Sequence, residues 1–560
     1  MKKVYFLVWM CLWGLTGCSD FLEEDSKENT YATSCSDLNE LLVGSGYMEH
    51  RVVYENAKFT IKTASGPYFP WLHVMDDDIE EVVLGNYTET NSRYKLNPFY
   101  IWEKDPFNEA GVLFNDPTWG RLYKHIAVTN VILDKVEEFT HDTEEDRNII
   151  RGQSHFLRAT YYYLLVNIYA KPYDPISAAT DLGVPLKLTP YVEDIDYKRS
   201  PVDSVYHQIV RDLKQAIHYL DGYEPKTVRR ATKSAAQLFL SRVYCYMGQW
   251  DSVPALCESV LAREKYQLKD LTVTKDTGWI DANSPEIIFS QGSHSTNFVF
   301  KGEYANSPDG ISGYRISDEL HQIFDENKDK RWMLSVDTID VEGFTIYIPR
   351  KVRASMPSEE FSFVSDNFTF RLSEAYLNLA EALAMTGREG EARNVLEKLM
   401  KKRIVDLAPI TESGESLIRL IRKERRREFC FEGQRWFDLR RYAVSSKFPE
   451  TKSIKHVVYD YAYGDKSTPG VYRGYYQLPD YPDGGWVLPI PTQEILAMEA
   501  SVRMPSSPRY GVTSFSKTFM ALSRSLRLTV KLKSVKPFLA AFCTIMSTSM
   551  LASAMWPRIL

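Results

Sequence analysis

Two helix pairs of the same design constrain this 560-residue chain more than any other feature. In each pair a helical run containing small residues ends at a glycine turn, and an alanine follows early in the next run. The pairs are predicted at 234–247 with 252–263 and at 370–385 with 388–402. Small residues let helices approach closely, and the spacing is like that of a tetratricopeptide repeat. The copies are not contiguous, so a simple solenoid array is not expected.

Further helical stripes extend this scaffold. Apolar residues recur at spacings of three and four in three more segments: 118–139, 144–169 and 202–220. The last of them follows Ser200 and Pro201, a capping residue and a proline suited to the first helical turn. We predict a mainly α fold in which four tetratricopeptide-like helix pairs form a scaffold. Long insertions add a loop-rich face and a few short strands, expected at 284–290 and 344–352.

A corner between two helices is predicted at the densest run of charged and aromatic residues, which is RLIRKERRREFCFEGQRWFDLRRY. Arg425 lies three residues before Glu428, and Arg435 lies three residues after Glu432, which places opposite charges side by side on a helix. Gly433 fits a helix C-terminus, where the chain needs positive φ. A nucleic-acid patch is disfavoured because nearby acids offset the arginines. We therefore interpret the run as a structural charge network.

The amino-acid composition excludes few classes of function, but it favours a protein that binds carbohydrate or peptide surfaces. The net charge of −6 argues against a general nucleic-acid binder. Aromatic residues make up 13% of the chain, with 35 tyrosines and 11 tryptophans, and such rings suit carbohydrate or peptide surfaces. Many of them are expected to fill cores instead. The two aromatic loop regions are 47–116 and 266–367, and another loop region is expected after Tyr442.

The N-terminus is predicted to be a targeting segment. Two lysines precede an apolar run, Val4 to Leu15, which is too short for an ordinary membrane span. It ends at Leu-Thr-Gly-Cys, which resembles a bacterial lipobox with Cys18 as the acylated residue. We therefore predict a signal peptide at 1–17 and a lipid-anchored acidic segment at 18–45.

The C-terminal segment is anomalous in composition. No acidic residue follows Glu499, while Lys, Arg, Ser and Met are abundant. We predict a main domain at 46–499 and an atypical basic tail at 500–560 that is not built for this fold, such as the product of a shifted reading frame.

No motif for catalysis, cofactor binding or metal binding stands out. Phosphate-binding glycine loops, HExxH and GxSxG are missing from the sequence. The run Asp325–Asp329 begins like a calcium loop, but Lys330 occupies the position that requires glycine. The acidic run Asp76–Asp78 is interpreted as a solvated turn. We predict no metal, no cofactor and no catalytic residue, and the pairing of Cys245 with Cys257 stays open.

Several segments resemble the SusD/RagB family of outer-membrane nutrient-binding lipoproteins. The resemblance rests on six segments: ERRREFCFEGQRWFDLRRY (424–442), LRATYYYLLVNIYA (157–170), RSPVDSVYHQIVRDLKQAI (199–217), SPEIIFS (284–290), FRLSEAYLNLAEALAMTG (370–387) and VLPIPTQEI (487–495). The chain departs from the family after this last segment, where an asparagine-rich, glycine-ended stretch is usual.

The resemblance implies a surface lipoprotein that binds oligosaccharides and passes them to a SusC-like TonB-dependent transporter. It also implies four tetratricopeptide-like pairs beside a loop-rich face, and no catalysis. Ligand contacts in the family come from loop aromatics with nearby arginines and asparagines. The candidates here are seven aromatic residues: Tyr68, Trp71, Trp102, Trp279, Phe298, Tyr304 and Tyr314. A peptide-binding member of the family is the main alternative, and a surface glycoside hydrolase is another.

Overall fold

The helical scaffold predicted from periodicity is present in the computed structural model of the protein. The structure describes residues 32–49, 51–55, 58–62, 67–83, 92–107, 118–191, 197–275, 278–292, 294–296, 299–300, 313–341, 343–352, 355–356, 364–460 and 469–491. Contacts divide the chain into Ser34–Thr518 and a second unit made of Met1–Thr33 with Phe519–Leu560. The fold described below belongs to the first unit.

Short elements come before the scaffold. Their bounds are α1 Cys35–Leu41, β1 Arg51–Glu55, β2 Lys58–Lys62, β3 Ile79–Glu81 and α2 Ser92–Tyr100. Helix α1 begins with a capping box, in which the Ser34 hydroxyl accepts from the Asp37 backbone N–H. The region between Tyr47 and Asp116 is therefore more regular than the sequence indicates, because it contains a nine-residue helix and three strands.

The scaffold helices follow. They are α3 Thr118–Lys135, α4 Glu144–Tyr169, α5 Val202–Tyr219, α6 Lys233–Met247 and α7 Pro254–Leu261. Helix α4 has 26 residues, begins at the N-cap Thr143 and is buried along most of its length. Helix α5 packs between α4 and α6. Its N-cap is Pro201 and no side chain caps it, so the expected role of Ser200 as a capping residue is wrong.

The middle of the chain alternates strands with short helices. The elements are β4 Ile287–Ser290, β5 Tyr314–Ile316, α8 Asp318–Gln322, α9 Lys330–Ser335, β6 Val336–Val341, β7 Phe344–Pro349, β8 Ser355–Met356 and β9 Thr369–Arg371. The pairs β3–β5, β4–β9 and β6–β7 are antiparallel ladders, and β8 joins β2 in a three-stranded sheet with β1. The strands predicted at 284–290 and 344–352 are confirmed with shorter bounds.

The C-terminal part of the scaffold is α10 Leu372–Met385, α11 Glu389–Met400, α12 Gly414–Phe429 and α13 Arg435–Ala443, followed by the hairpin β10 Ile454–Asp460 and β11 Val471–Leu478. Helices α3 and α4, α6 and α7, and α10 and α11 pack as pairs, and Arg425 of α12 bonds Asp438 of α13. Residues 370 and 371 belong to β9 rather than to the helix predicted there. Within the described residues, no helix is both long and apolar enough to cross a membrane.

Glu428 of α12 lies at the centre of a buried charge network. Its carboxylate accepts hydrogen bonds from Arg331, Arg371 and Arg403 at 2.8–3.1 Å, and the side chains of all four residues are at most 1% exposed. Burial raises the pKa of Glu428, but the three guanidinium groups outweigh burial and hold that pKa well below its ordinary value. The charge network predicted for this corner is confirmed.

The partners within this corner differ from those that helical spacing predicts. Arg425 pairs with Asp438 of α13 at 2.8 Å rather than with Glu428. Arg435 pairs with Asp77 at 2.7 Å rather than with Glu432. Helix α12 ends at Phe429, four residues before Gly433, which has φ 67° in the turn that follows. The charges thus join distant segments instead of neighbouring turns of one helix.

The cysteines that the structure describes form no disulfide. Cys245 and Cys257 are both free and buried. Burial raises the pKa of Cys257 to about 12 and raises that of Cys245 as well, so both are thiols at neutral pH.

Candidate functional site

Four of the seven aromatic candidates lie in the interior. Tyr68, Trp71, Trp279 and Tyr314 are at most 3% exposed. Phe298 and Tyr304 lie outside the described residues. Only Trp102 among the described candidates keeps part of its surface accessible to solvent.

The four buried rings contact the protein itself. Trp71 stacks on Phe99 with ring centroids 5.3 Å apart, and Tyr314 lies 5.3 Å from Tyr100. The guanidinium carbon of Arg121 is 3.4 Å from the centre of the Tyr68 ring.

Trp279 packs under the charge network. Its ring lies 5.3 Å from the guanidinium carbons of both Arg371 and Arg403. Irregular segments have no long amphipathic helix face with which to build a core. Large aromatic side chains fill the core there instead. The four buried rings therefore present no open face to a ligand, and they are not part of the proposed site.

Trp102 lies beside the β10–β11 hairpin. Its indole N–H donates to the Met75 carbonyl at 3.0 Å, and its ring stacks on His456 of β10 at 4.3 Å. Its φ of 52° is uncommon for a residue with a side chain, and such conformations cluster at functional positions. Tyr100 covers the other face of His456 at 4.1 Å. The three stacked rings connect the end of α2 to the hairpin.

His456 is the buried centre of that stack. Burial lowers its pKa to about 4, so the ring is neutral at physiological pH. Its two nitrogens lie 2.6 Å from the Tyr100 carbonyl and 2.9 Å from the Asp76 carbonyl, and a neutral ring donates to one of them at a time. His456 is therefore a structural contact of the hairpin and is not accessible to a ligand.

The hairpin has a buried face and an outward face. On the buried face, Ile454, His456 and Val458 are at most 7% exposed, and Leu478 lies across from Ile454. On the outward face, Val457 pairs with Tyr475 and Tyr459 pairs with Tyr472. Because residues directly opposite in an antiparallel pair point to the same side, the two tyrosines of β11 share the outward face. Tyr475 is 54% exposed and Tyr472 is 59% exposed.

A register shift in β11 brings these two tyrosines to one side. Val458 pairs with Gly474, yet the next residue of β10, Tyr459, pairs with Tyr472, so Arg473 is an extra residue in β11. Gly474 has φ 145°, a conformation that side-chain-bearing residues rarely adopt. In a regular strand, residues three apart face opposite ways. The bulge therefore places Tyr472 next to Tyr459, with ring centroids 6.4 Å apart, on the side of Tyr475.

Charged side chains border the outward tyrosines. Arg315 of β5 pairs with Glu80 of β3 at 2.5 Å and with Asp318 at 2.7 Å. The Tyr459 backbone N–H donates to Glu81 of β3 at 3.2 Å, so the cluster lies near the Tyr459 end of β10. Burial first, followed by the charge of Glu80, raises the pKa of Tyr459. The hydrogen bond from Arg315 is the largest influence on Asp318 and lowers its pKa. Burial raises the pKa of Glu80 against the opposing charge of Arg315, and both carboxylates are engaged by that guanidinium group.

Two more cations lie along the hairpin itself. The ammonium of Lys455 is 4.9 Å from the centre of the Tyr475 ring, and Arg473 lies 3.9 Å from the Asp460 carboxylate. We call Tyr459, Tyr472 and Tyr475, with the charged residues around them, the hairpin face. It combines open ring faces with hydrogen-bonding groups, which is the chemistry that a sugar requires.

The acidic run Asp76–Asp78 lies beneath the hairpin and is not a solvated turn. All three residues are buried, and their carboxylate oxygens lie within 4.8 Å of one another. Asp77 pairs with Arg435, Arg426 and Lys452, and Asp78 pairs with Arg426 at 2.7 Å. The interpretation as a solvated turn is therefore wrong, because scaffold arginines pair with Asp77 and Asp78 in the interior, while burial and these two carboxylates raise the pKa of Asp76 well above its ordinary value.

Sequence reasoning missed the hairpin face. The segment after Tyr442 was assigned to loops, although VYRGYYQL is rich in strand-forming tyrosine and valine. The bulge breaks the alternation that identifies a half-buried strand, and the charged border comes from residues far away in sequence. The tyrosine content of this segment was the available signal.

The comparisons with known proteins all indicate the same family. Residues 76–245 match a family described as "Starch-binding associating with outer membrane", and residues 286–505 match the SusD family. SusD-like protein P2 of Formosa agariphila is 22% identical over 503 residues, which cover 80% of this chain and 92% of that protein. SusD-like protein P25 of the same organism is 24% identical, but the match spans only about half of each chain.

Solved structures share the fold. A putative sugar-binding protein from Bacteroides vulgatus has a TM-score of 0.60 and 24% identity, covering 86% of this chain and all of that one. A structure described as a laminarin-binding SusD-like protein has a TM-score of 0.53 and 21% identity, covering 77% of this chain and 93% of that one. The chain therefore belongs to the SusD/RagB family.

Proposed function

We propose that this protein is a lipoprotein of the outer cell surface that binds oligosaccharides and delivers them to a SusC-like TonB-dependent transporter. One observation carries the binding function: two solvent-exposed tyrosines share the outward face of the hairpin, and carboxylates paired with guanidinium groups lie on the hairpin and on the neighbouring strands. Sugar rings stack on aromatic faces, while their hydroxyls need acceptors and donors nearby. Family membership supports the same ligand class.

Titration calorimetry with a panel of oligosaccharides and peptides tests the binding function. The wild-type chain without its first 17 residues is expected to bind at least one oligosaccharide. Trp102→Ala is expected to weaken that binding by about tenfold, the effect of removing one well-placed ring. Tyr191→Ala is the matched control, because Tyr191 is a 62% exposed tyrosine of the scaffold loop. Binding of none of the oligosaccharides contradicts the proposal.

A peptide ligand is the second candidate. Among the described residues β11 pairs with β10 on one edge only, and an extended peptide can add a strand to such an edge. The same titrations separate the two ligand classes. A peptide that binds while every oligosaccharide fails would favour this alternative.

Catalysis is not part of the proposal. Glu80 and Asp318 are both tied to Arg315, which leaves them as fixed hydrogen-bond acceptors. Incubating the bound oligosaccharide with the protein and analysing the products by chromatography is expected to return it intact. Turnover would favour the glycoside hydrolase alternative.

Anchoring of the protein to the outer membrane is proposed to depend on the N-terminal segment. Cys18 lies outside the described residues, and its acylation stays a prediction from the lipobox-like sequence. Mass spectrometry of the membrane-extracted protein is expected to find a diacylglyceryl-modified Cys18, and Cys18→Ala is expected to release the protein into the soluble fraction. Co-purification with a SusC-like transporter from the native membrane tests delivery. The assignment of 500–560 to a segment outside the fold likewise stays a prediction.

A further inference from the structure

We propose that the hairpin face is a platform for an uncharged oligosaccharide chain, in which Tyr475 and Tyr472 stack on two sugar rings of one chain. The Glu80–Arg315–Asp318 cluster would then hydrogen-bond the hydroxyl groups of that chain. This inference rests on the proposed function and specifies where the ligand lies, which class it belongs to and what determines its selection.

The spacing of the two rings fits one extended ligand. Tyr475 lies opposite Val457 and Tyr472 lies opposite Tyr459, so they are two residues apart along β10. That separation is about 7 Å at the rise of a β-strand. Both tyrosines are more than half exposed, while Ile454, His456, Val458 and Leu478 on the reverse of the hairpin are buried and Tyr476 there is 38% exposed. A chain laid along the strand direction therefore meets both rings from the same side.

The charges around the platform balance in number, and both guanidinium groups are paired. Of the cations Lys455, Arg315 and Arg473, the two arginines pair with Glu80, Asp318 and Asp460, while the Lys455 ammonium lies over the Tyr475 ring. Arg315 is engaged by Glu80 at 2.5 Å and by Asp318 at 2.7 Å, and Arg473 is paired with Asp460 at 3.9 Å. A sulfated or uronic acid chain would have to displace these carboxylates to reach a guanidinium group. A neutral chain needs only donors and acceptors, which the paired groups supply at their remaining positions.

The bulge in β11 determines which side chains lie on the outward face and meet the ligand. If β11 kept all its residues but paired regularly with β10, Arg473 would lie opposite Tyr459 on the outward face and Tyr472 would turn to the reverse of the hairpin. Gly474 permits the bulge through its φ of 145°, and the space around a side chain at this position is open. A larger residue at position 474 is therefore opposed by backbone conformation and not by crowding.

The first experiment measures which rings and which charges matter. Calorimetry uses neutral gluco-, xylo- and manno-oligosaccharides beside oligogalacturonate and a sulfated galactan oligosaccharide. We expect binding of a neutral chain, a loss of about tenfold in affinity for Tyr475→Ala and for Tyr472→Ala, and a change of less than about threefold for Tyr475→Phe, which keeps the ring. Tyr191→Ala is expected to leave the affinity unchanged.

The second experiment tests the bulge through loss and rescue. Gly474→Val removes the conformation that the bulge needs and is expected to weaken binding as much as Tyr472→Ala does. Deleting Arg473 from the Gly474→Val chain makes β11 a regular strand in which Tyr472 again lies opposite Tyr459. Affinity is expected to return to within about threefold of wild type. Thermal melting of each variant verifies that the scaffold is folded.

The outcomes separate this inference from the proposed function. If the wild-type protein binds none of the oligosaccharides, both are overturned. If it binds one but Tyr475→Ala and Tyr472→Ala bind equally well, or if it binds only the anionic chains, the platform is overturned while the carbohydrate-binding function stands. Failure of the Arg473 deletion to restore affinity overturns the role of the bulge.

Discussion

The charge network around Glu428 and the hairpin face use the same side-chain types in opposite ways. In the network, arginines and acids are withdrawn from water and aromatic rings lie against them, as Trp279 lies against Arg371 and Arg403. On the hairpin face the rings are exposed and the ion pairs lie at the surface. The contrast shows that burial, rather than residue type, separates scaffold from candidate site.

The two regions are joined through Asp77. Arg426 and Arg435 of the scaffold pair with this carboxylate, and so does Lys452, two residues before β10. The hairpin is therefore attached to the network at its base while its outward face is free of it. This attachment allows each region to be perturbed separately.

The largest expected effect comes from breaking the network at its centre. Glu428→Ala leaves three buried guanidinium groups without their shared carboxylate, and we expect a loss of about 3–5 kcal/mol in the free energy of unfolding. Urea denaturation followed by far-UV circular dichroism measures this loss. The fraction that remains folded should bind ligand with unchanged affinity. Normal stability combined with lost binding would contradict the division between the two regions.

Acidification should weaken the scaffold for a related reason. Burial raises the pKa of Glu428, Glu432 and Asp438, but their arginine partners outweigh burial and lower it overall. Groups with a depressed folded-state pKa stabilise the protein fully above their unfolded values, and that stabilisation is lost as the pH falls through the folded-state values. The urea midpoint is expected to be flat above about pH 5 and to fall below about pH 4.5. Glu428→Gln should show a shallower fall, and an equal slope would contradict this origin.

Cutting the connection at the base of the hairpin should have a smaller and local effect. Lys452→Ala leaves Asp77 paired with two arginines, so we expect a cost of about 1 kcal/mol, confined to the hairpin. Hydrogen exchange followed by mass spectrometry should show faster exchange in β10 and β11 and unchanged exchange in α4 and α10. Equal acceleration in the scaffold helices would mean that the two regions are one cooperative unit.

The smallest effect is expected from an ion pair that lies outside both regions. Glu415 and Arg419 face each other across one exposed turn of α12, with side chains more than half exposed. Glu415→Ala should leave the urea midpoint and the ligand affinity unchanged, because such pairs are screened by solvent. A measurable loss here would show that solvent exposure does not separate the two kinds of charge in this helix.

The sequence predicted the scaffold because packed helices repeat their apolar residues at fixed spacings. The bounds of α4 are those expected from the stripe between Glu144 and Tyr169. The partners of individual charges were not predictable, because spacing along one helix does not describe contacts between elements. Arg425 reaches Asp438 on the next helix, while Glu428, three residues on, faces β9 and α9.

The candidate site was the least predictable part. Trp71 and Trp102 lie in similar aromatic loop segments, yet one is fully buried and the other is partly exposed. Local sequence does not decide which of them reaches solvent, since packing of distant strands and helices decides it. Tyr472 and Tyr475 were overlooked because a bulge, which depends on the partner strand, sets their common direction.

Because one side of β10 is buried and the other faces outward, a protein of this kind can evolve new ligand preferences without losing its fold. Every residue that fastens the hairpin, from Ile454 through His456 to Val458, points inward, and those that would meet a ligand point outward. Outward positions can therefore be exchanged without disturbing the fastening residues. A single scaffold can in this way acquire new ligand preferences through a handful of substitutions on one strand pair.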